Sequence, residues 1–442
     1  MKTRGTIGMA VVMLIVMLAG VAPVRGERAY DYVDIRNPSL QKIPIAVPPF
    51  RTFPAGRPDV SRGGADRLSA YLDFTGYFQL LKGAGSVMSP DEMGLTEADV
   101  RFKEWTRFGA ELLVTGGVRL GEGGSIEMEL RLLDTVKQSM LVGKRYKGWL
   151  KDQDQMIRRF AGEIIHVLTG EWGVFETRIA FVSTGTGNKE IFVCDFDGEN
   201  VRQLTRHNSI TLSPAWSSDG QWIAYTSYAG GKPEIYVRNL SENRGSVIAN
   251  RGLNATPEWL PGKGALSATF SHEGDPEIYL LTREGKVTKR LTDSWGIDTS
   301  PTWSPDGSRM AFVSDRSGSP QIYIQDVSTG DTQRLTFDGR YNTQPSWSPR
   351  GDQIAYSGMV DGEINIYVIG LDGGPPVQLT RDARQNESPS WSPDGSMIVF
   401  CSTRQGSSRI FVMTAYGTDQ RQLLTIPGEQ TDPCWSPRMS NE

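Results

Sequence analysis

The sequence predicts two domains in succession, a small N-terminal mixed α/β domain followed by an all-β six-bladed β-propeller closed by the C-terminal strand. Three observations predict it. An octapeptide built on P-x-W recurs six times at a nearly constant interval. Three strand-like segments precede its first copy without an innermost strand, and one innermost strand follows the last complete set. Upstream of residue 178 the period is absent, and strand and helix signals alternate instead. A chain of 442 residues exceeds what one core comfortably organises. Its 49 Gly, 25 Pro and 11 Trp suit short strands and tight turns.

Residues 1–26 read as a secretory signal peptide. Lys2 and Arg4 precede an apolar or small-residue run from Ile7 to Ala22 that is short for a membrane span. Cleavage after Ala22 or after Gly26 fits equally, and an uncleaved anchor is the alternative. No Cys follows the run to carry a lipid, since the first is Cys194, so a soluble product without direct membrane insertion is expected. Residues 27–42 show no strand or helix pattern and read as an extended arm, either disordered or used for binding.

From residue 43 to residue 172 the α/β domain is expected. Strand signals stand at IPIAVPPF from Ile43, ELLVTGGV from Glu111, IEMELRLL from Ile126 and SMLVGKRY from Ser139. Leu68, Tyr71, Leu72, Thr75 and Phe78 fall on one helical face, as do Met156, Phe160, Ile164 and Leu168 behind a capping candidate at Asp152.

The propeller occupies residues 178–442. The six octapeptides are SPAWSSDG, TPEWLPGK, SPTWSPDG, QPSWSPRG, SPSWSPDG and DPCWSPRM. Their tryptophans, Trp216, Trp259, Trp303, Trp347, Trp391 and Trp435, are spaced by 43, 44, 44, 44 and 44 residues. Within a repeat, the Trp strand ends in an SPDG-type turn whose Pro and Gly suit its second and fourth positions. A second strand follows (WIAYTS from Trp222, MAFVSD from Met310), then a third (EIYV from Glu234, QIYI from Gln321) rich in β-branched and aromatic residues. A fourth ends in LT, as at Leu291, Leu335 and Leu379. Four strands in such a period are one propeller blade, which must bury its faces against neighbours, and the repeated Trp is expected in that seam.

IAFVS from Ile179, EIFV from Glu190 and RQLT from Arg202 lack an innermost strand, and the strand at Trp435 supplies it, closing the ring at six blades and removing exposed edges. Cys194 and Cys434 then share one blade about 9 to 10 Å apart, too far for a disulfide. All three cysteines, Cys401 included, are read as packing residues.

Other function classes find little support. Lys plus Arg number 47 against 51 Asp plus Glu, so no basic field for nucleic acid is expected. A propeller-containing hydrolase would need a G-x-S-x-G elbow, which the sequence lacks, and the histidines His166, His207 and His272 form no catalytic pattern. DFDGEN from Asp195 lacks the ligands of an EF-hand loop, so neither metal nor cofactor is expected. A carbohydrate-binding propeller stays open as an alternative, because segments crossing a propeller mouth suit small polar ligands as well as proteins.

Those segments carry the candidate binding residues, each just before a P-x-W: His207, Asn208, Asn254, Thr256, Asp298, Thr299, Ser300, Asn342, Thr343, Gln344, Asn386, Glu387, Thr431 and Asp432. The α/β domain behind a signal peptide, the six P-x-W-S-P-D-G repeats and the closing strand together resemble the TolB family of the Tol-Pal system, most clearly in SPTWSPDG with MAFVSDRSG from Ser300 to Gly318. The resemblance implies a non-catalytic periplasmic scaffold. It binds the outer membrane lipoprotein Pal through the propeller mouth and TolA through the N-terminal arm, and it supports envelope integrity and outer-membrane constriction during division. Some colicins are implied to use the same mouth. Leu253, Thr256, Thr299 and Ser300 fall at the family's Pal-contacting positions, although the family carries His at Leu253 and Glu at Ser300. On the arm, the resemblance places TolA contacts at Glu27, Tyr30, Tyr32, Val33 and Ile35.

Overall fold

The computed structural model describes residues 42–439 except 243, 272, 273 and 382. The signal segment, the arm residues Glu27, Tyr30, Tyr32, Val33 and Ile35, and His272 lie outside the described residues.

The N-terminal domain is one six-stranded sheet in the order Phe78–Leu80, Ile43–Ala46, Leu112–Leu120, Ser125–Asp134, Ser139–Trp149, with Arg51–Phe53 also paired to Leu112–Leu120. The first strands pair in parallel and the last three form an antiparallel meander. In Ser125–Asp134 the alternation works as a period of two, with Ile126, Met128, Leu130 and Leu132 buried beneath the helices Pro58–Phe74 and Gln153–Thr169. Leu68, Tyr71 and Leu72 face Phe160 and Ile164 in that layer. Gly116 lies in the central strand under Phe50, whose ring stands where a Cβ would be, so the close approach requires glycine.

Two expectations are corrected here. The first long helix stops at Phe74, and Thr75 and Phe78 do not continue its face. Thr75 turns its hydroxyl onto the Leu72 carbonyl at 2.7 Å, Gly76 takes φ 76°, and Phe78 opens a strand registered against Ile43. Periodicity missed the break because Phe78 is buried for a different reason, as a sheet residue. Asp152 does not cap the second helix: its carboxylate accepts the Trp149 N–H at 3.0 Å in the preceding turn. The short helices Ala84–Val87 and Phe102–Phe108, which cover the other sheet face with Met88, Met93 and Trp105, carried no readable period.

The propeller has six four-stranded antiparallel blades. Blades one to five run from Thr211, Asn254, Asp298, Tyr341 and Asn386, and each is continuous in sequence. The sixth joins Gln430–Trp435 to Arg178–Ser183, with Cys434 opposite Ala180 and Trp435 opposite Ile179. Cys194, Cys401 and Cys434 are free. The second strands are buried on both faces, as in Trp222–Ser227 and Met397–Ser402, because blades pack on either side. The SPDG turns place Gly220, Gly307, Gly351 and Gly395 at φ 66–78°, which explains the glycine.

The LT pair stands just beyond the short fourth strand rather than at its end. Its hydroxyl is a clip: Thr292, Thr336 and Thr380 accept the backbone N–H of Ile278, Ile322 and Ile366, each at 2.9 Å, fastening the outer edge to the third strand. The repeated Trp lies in the seam as expected. Trp216, Trp259 and Trp391 donate their indole N–H to Cys434, Ala215 and Ser346 carbonyls of the preceding blade at 3.1, 3.1 and 3.2 Å.

The sixth blade also packs on the helices. Tyr71, Phe175 and Phe196 pack with tilted or edge-on rings, centroids 5.4–6.1 Å apart, inside one core that continues from the α/β sheet into the propeller. Above them Arg158 reaches Asp195 and Asp154, both at 2.9 Å, and Tyr71 donates to Asp154 at 2.6 Å.

Candidate functional site at the propeller mouth

Each innermost strand enters from the mouth, and its first six residues run from a loop to the Trp. The same irregularity interrupts all six: a register shift two or three residues after the strand begins to pair, where a non-glycine residue takes a left-handed backbone. Ser213, Thr256, Ser300, Gln344, Ser388 and Asp432 have φ between 46° and 55°. A left-handed non-glycine residue costs about 1 kcal/mol or more, and six at one level form a built ring rather than an accident. The bulge turns these side chains toward the axis, where they bond blade to blade. The Ser300 N–H donates to Thr256 Oγ1 at 3.3 Å, and the Ser388 N–H to Gln344 Oε1 at 3.0 Å. The Ser213 N–H reaches Asp432 across the closing seam. Thr256 also lies 2.8 Å from Thr269 Oγ1, which donates to Thr299 at 3.2 Å.

Inside the ring is an axial cavity of about 440 Å³ lined by the P-x-W strands. Two carboxyls, Glu258 and Asp432, line it, and Glu387 lies one residue before the ring residue Ser388. Burial pushes Glu258 up to about 8. Burial raises Asp432, with Lys189 opposing, and burial followed by the Asp432 charge raises Glu387. Burial thus favours the neutral form of each of these carboxyls. Among the described residues no group of three or more His, Cys, Asp or Glu side chains is arranged to hold a metal ion.

The candidates separate into layers. Asn254, Asp298, Asn342 and Asn386, the first residue of their strands apart from Asn342, are at most 2% exposed and spend their side chains below the loops. Asn254 Nδ2 donates to the Pro233 and Asn250 carbonyls, and Asp298 pairs with Arg316 at 2.6 Å. His207 lies 3.0 Å from the Tyr225 hydroxyl and packs on Tyr236, and burial lowers its basicity. The exposed Asn208 has φ 53° and donates its N–H to Glu190 at 2.7 Å. Thr256, Thr299, Ser300, Thr343, Gln344, Glu387, Thr431 and Asp432 are half-buried in or beside the ring, and Leu253 is half-buried at the rim.

Sequence reading by polarity missed the outermost layer. The residue six before each Trp is Ile210, Leu253, Ile297, Tyr341, Gln385 or Glu429, apolar on the four segments entering blades one to four and polar on the other two. Trp295 (73% exposed) and Phe337 (68%) stand on the loops entering blades three and four. Aligning the repeats one residue farther upstream would have found Ile210, Ile297 and Tyr341, but Trp295 and Phe337 lie eight and ten residues before their Trp, outside any shared register.

The fold defines a protein with a small α/β domain and a six-bladed β-propeller. Residues 165–439 match the family described as TolB beta propeller domain, and residues 31–141 match the TolB amino-terminal domain. The chain belongs to the TolB family. A Tol-Pal system protein TolB of Desulfosudis oleivorans is 56% identical over 286 residues, covering 64% of this chain and 65% of that protein. A TolB homolog of Chlorobaculum tepidum is 43% identical over 295 residues, covering 67% and 66%. The chain thus spans just under two thirds of the length of these relatives in the aligned stretches. The crystal structure of TolB from Acinetobacter baumannii is similar with a TM-score of 0.79 at 30% identity, covering 90% of this chain and 97% of that one. Among the described residues no helix is long and apolar enough to cross a membrane.

Proposed function

We propose that this protein is a non-catalytic periplasmic scaffold of the Tol-Pal system that binds Pal at the propeller mouth and TolA through the arm of residues 27–42, supporting envelope integrity and outer-membrane constriction. The observation that carries the reading is the layered mouth, in which an exposed arc of Ile210, Trp295, Ile297, Phe337 and Tyr341 surrounds a ring of half-buried donors and acceptors. An apolar patch around satisfied polar groups suits a folded protein partner, with aromatic anchors supplying most of the binding energy. A carbohydrate site would instead need free polar groups converging on one pocket, and here the ring's hydroxyls and amides bond to one another.

Capture of the soluble domain of Pal by the purified protein tests the reading. Trp295→Ala is expected to weaken capture by 10-fold or more, and Thr256→Asp with Thr299→Asp to weaken it further without unfolding. Capture that is absent, or that survives all three changes, removes the mouth from the proposal. Deleting residues 27–42 is expected to abolish TolA association while leaving Pal capture intact.

A further inference from the structure

Beneath two mouth loops, a residue at or near the start of a third strand bonds the first buried residue of the next blade, and in the seam from blade two to blade three the Asp298 N–H donates to the Pro276 carbonyl at 2.8 Å. From blade three to blade four, Asn342 Nδ2 donates to Gln321 Oε1 at 2.9 Å, and from blade four to blade five Asn386 Nδ2 donates to Asn365 Oδ1 at 3.1 Å. The same acceptors take the LT hydroxyls of Thr336 and Thr380, each at 2.8 Å. In the seam from blade two to blade three these positions hold Glu277 and Asp298, 1% and 0% exposed. Two ionised carboxylates have no donor to offer each other.

The atoms left over match that deficit. Glu277 Oε2 and Asp298 Oδ1 are both buried without a hydrogen-bond partner. The other two oxygens are engaged. Glu277 Oε1 accepts the Ser294 N–H at 2.7 Å and lies 3.4 Å from Arg290. Asp298 Oδ2 accepts from Ser294 Oγ at 3.2 Å and from Arg316 at 2.6 Å. An unmade bond at such a buried site costs about 1–3 kcal/mol per group, and a single proton satisfies both oxygens.

We propose that Glu277 and Asp298 share one proton, the Glu277 hydroxyl donating to Asp298, and that this pair is a pH-sensitive latch holding the loop of residues 292–297 that presents Trp295 and Ile297 at the mouth. The latch chemistry stands on the seam geometry; its consequence for a partner rests on the reading of the mouth as a protein-binding surface.

The charged groups around the pair fit one proton. Arg316 balances Asp298, while Arg290 is shared between Glu277 and the exposed Asp293, at 2.9 Å from the latter. Asp315 accepts the Ile297 N–H at 2.7 Å and so ties the far end of the loop to the turn that carries Arg316. Burial raises Glu277, opposed by hydrogen bonds from Thr292 and Ser294 and by Arg290, with the Asp298 charge adding to the rise. The folded state therefore favours the protonated pair, whose contribution is complete in acid and is lost as pH rises through the folded value. Release of the proton to solvent leaves two buried charges facing each other, and the loop between them is the element free to yield.

The test uses the full mature protein in a Glu258→Gln background, which removes the channel carboxyl that titrates near 8. Between pH 6 and pH 9 the thermal midpoint is expected to fall, and an infrared band from a protonated carboxyl to disappear. Asp298→Asn supplies the amide donor of the sister seams and is expected to flatten the midpoint profile; Glu277→Gln is the second variant should the first fail to fold. Pal capture is expected to weaken several-fold at pH 9 only where the carboxyl pair is intact. Parallel midpoint profiles in variant and background, or the absence of a Glu277-dependent carboxyl band at pH 6, overturn the latch. Flattened midpoints together with no Pal capture at any pH uphold the latch and overturn the partner reading instead.

Discussion

The propeller and the α/β domain cover their sheets in opposite ways. In the propeller every blade is covered by another copy of itself, so one Trp, one turn glycine and one LT threonine do the same work in most seams. In the α/β domain each layer is different, with two long helices on one face and two short ones with irregular chain on the other. Repetition therefore distributes packing over many equivalent contacts, whereas the α/β domain depends on a few singular ones. The sixth blade belongs to both regimes: it is sealed by a Trp like its sisters, and its outer face shares the aromatic core of the helices.

The largest effect is expected where the two regimes meet. Trp435 donates to Thr177 at 2.8 Å and completes the blade built from two distant segments. Trp435→Ala is expected to cost about 3–5 kcal/mol and to lower the denaturation midpoints of both domains together. Trp347→Ala, in a continuous blade where the indole N–H has no partner, is expected to cost less. Equal losses, or a propeller that melts alone in the Trp435 variant, would break the comparison. Urea unfolding followed separately by far-ultraviolet ellipticity and by aromatic fluorescence reads both.

A smaller effect separates singular from shared contacts. Arg158 is 14% exposed and stands between Asp154 of the helix and Asp195 of the sixth blade. Arg158→Met leaves both carboxylates without it and is expected to cost about 2–3 kcal/mol. Lys42→Ala, which removes an exposed pair with Asp419 between the same regions, is expected to cost under about 1 kcal/mol. Similar values for the two variants would mean that the core alone joins the domains.

The smallest effect lies within the ring. Only blade two carries a carboxyl at the channel position just before its Trp, and burial holds Glu258 up to about 8. The raised value means that its contribution is complete below the ordinary carboxylate range and is lost as pH rises through about 8. Glu258→Gln is expected to remove about 1 kcal/mol of the stability lost between pH 7 and pH 9. An unaltered pH slope of the thermal midpoint would mean that the channel solvates this group.

Most of the propeller was legible because its period is long, regular and marked by Trp, Pro and Gly, residues whose placement has direct steric causes. The α/β domain was legible where amphipathic periods ran long, as in Gln153–Thr169, and failed where one apolar residue passed from helix to strand, as at Phe78. At the mouth, polarity picked out the loops but not the depth at which their side chains lie. Asn254 and Asp298 are structural and buried, while Trp295 and Phe337, the most exposed large side chains there, were invisible to a search for polar groups.

By itself the sequence determined the number of blades, the closing partner of Ile179 and the residues that make each turn, because these follow from periodicity and from the local backbone limits of Pro and Gly. Only the tertiary structure decided which side chains line the axis, which sink beneath the loops, and that Glu277 and Asp298 are each buried with one unpartnered oxygen. Those outcomes depend on a bulge repeated in every innermost strand and on neighbours brought together across seams. Burial and hydrogen-bond partners are properties of the assembled ring, and no single repeat contains them.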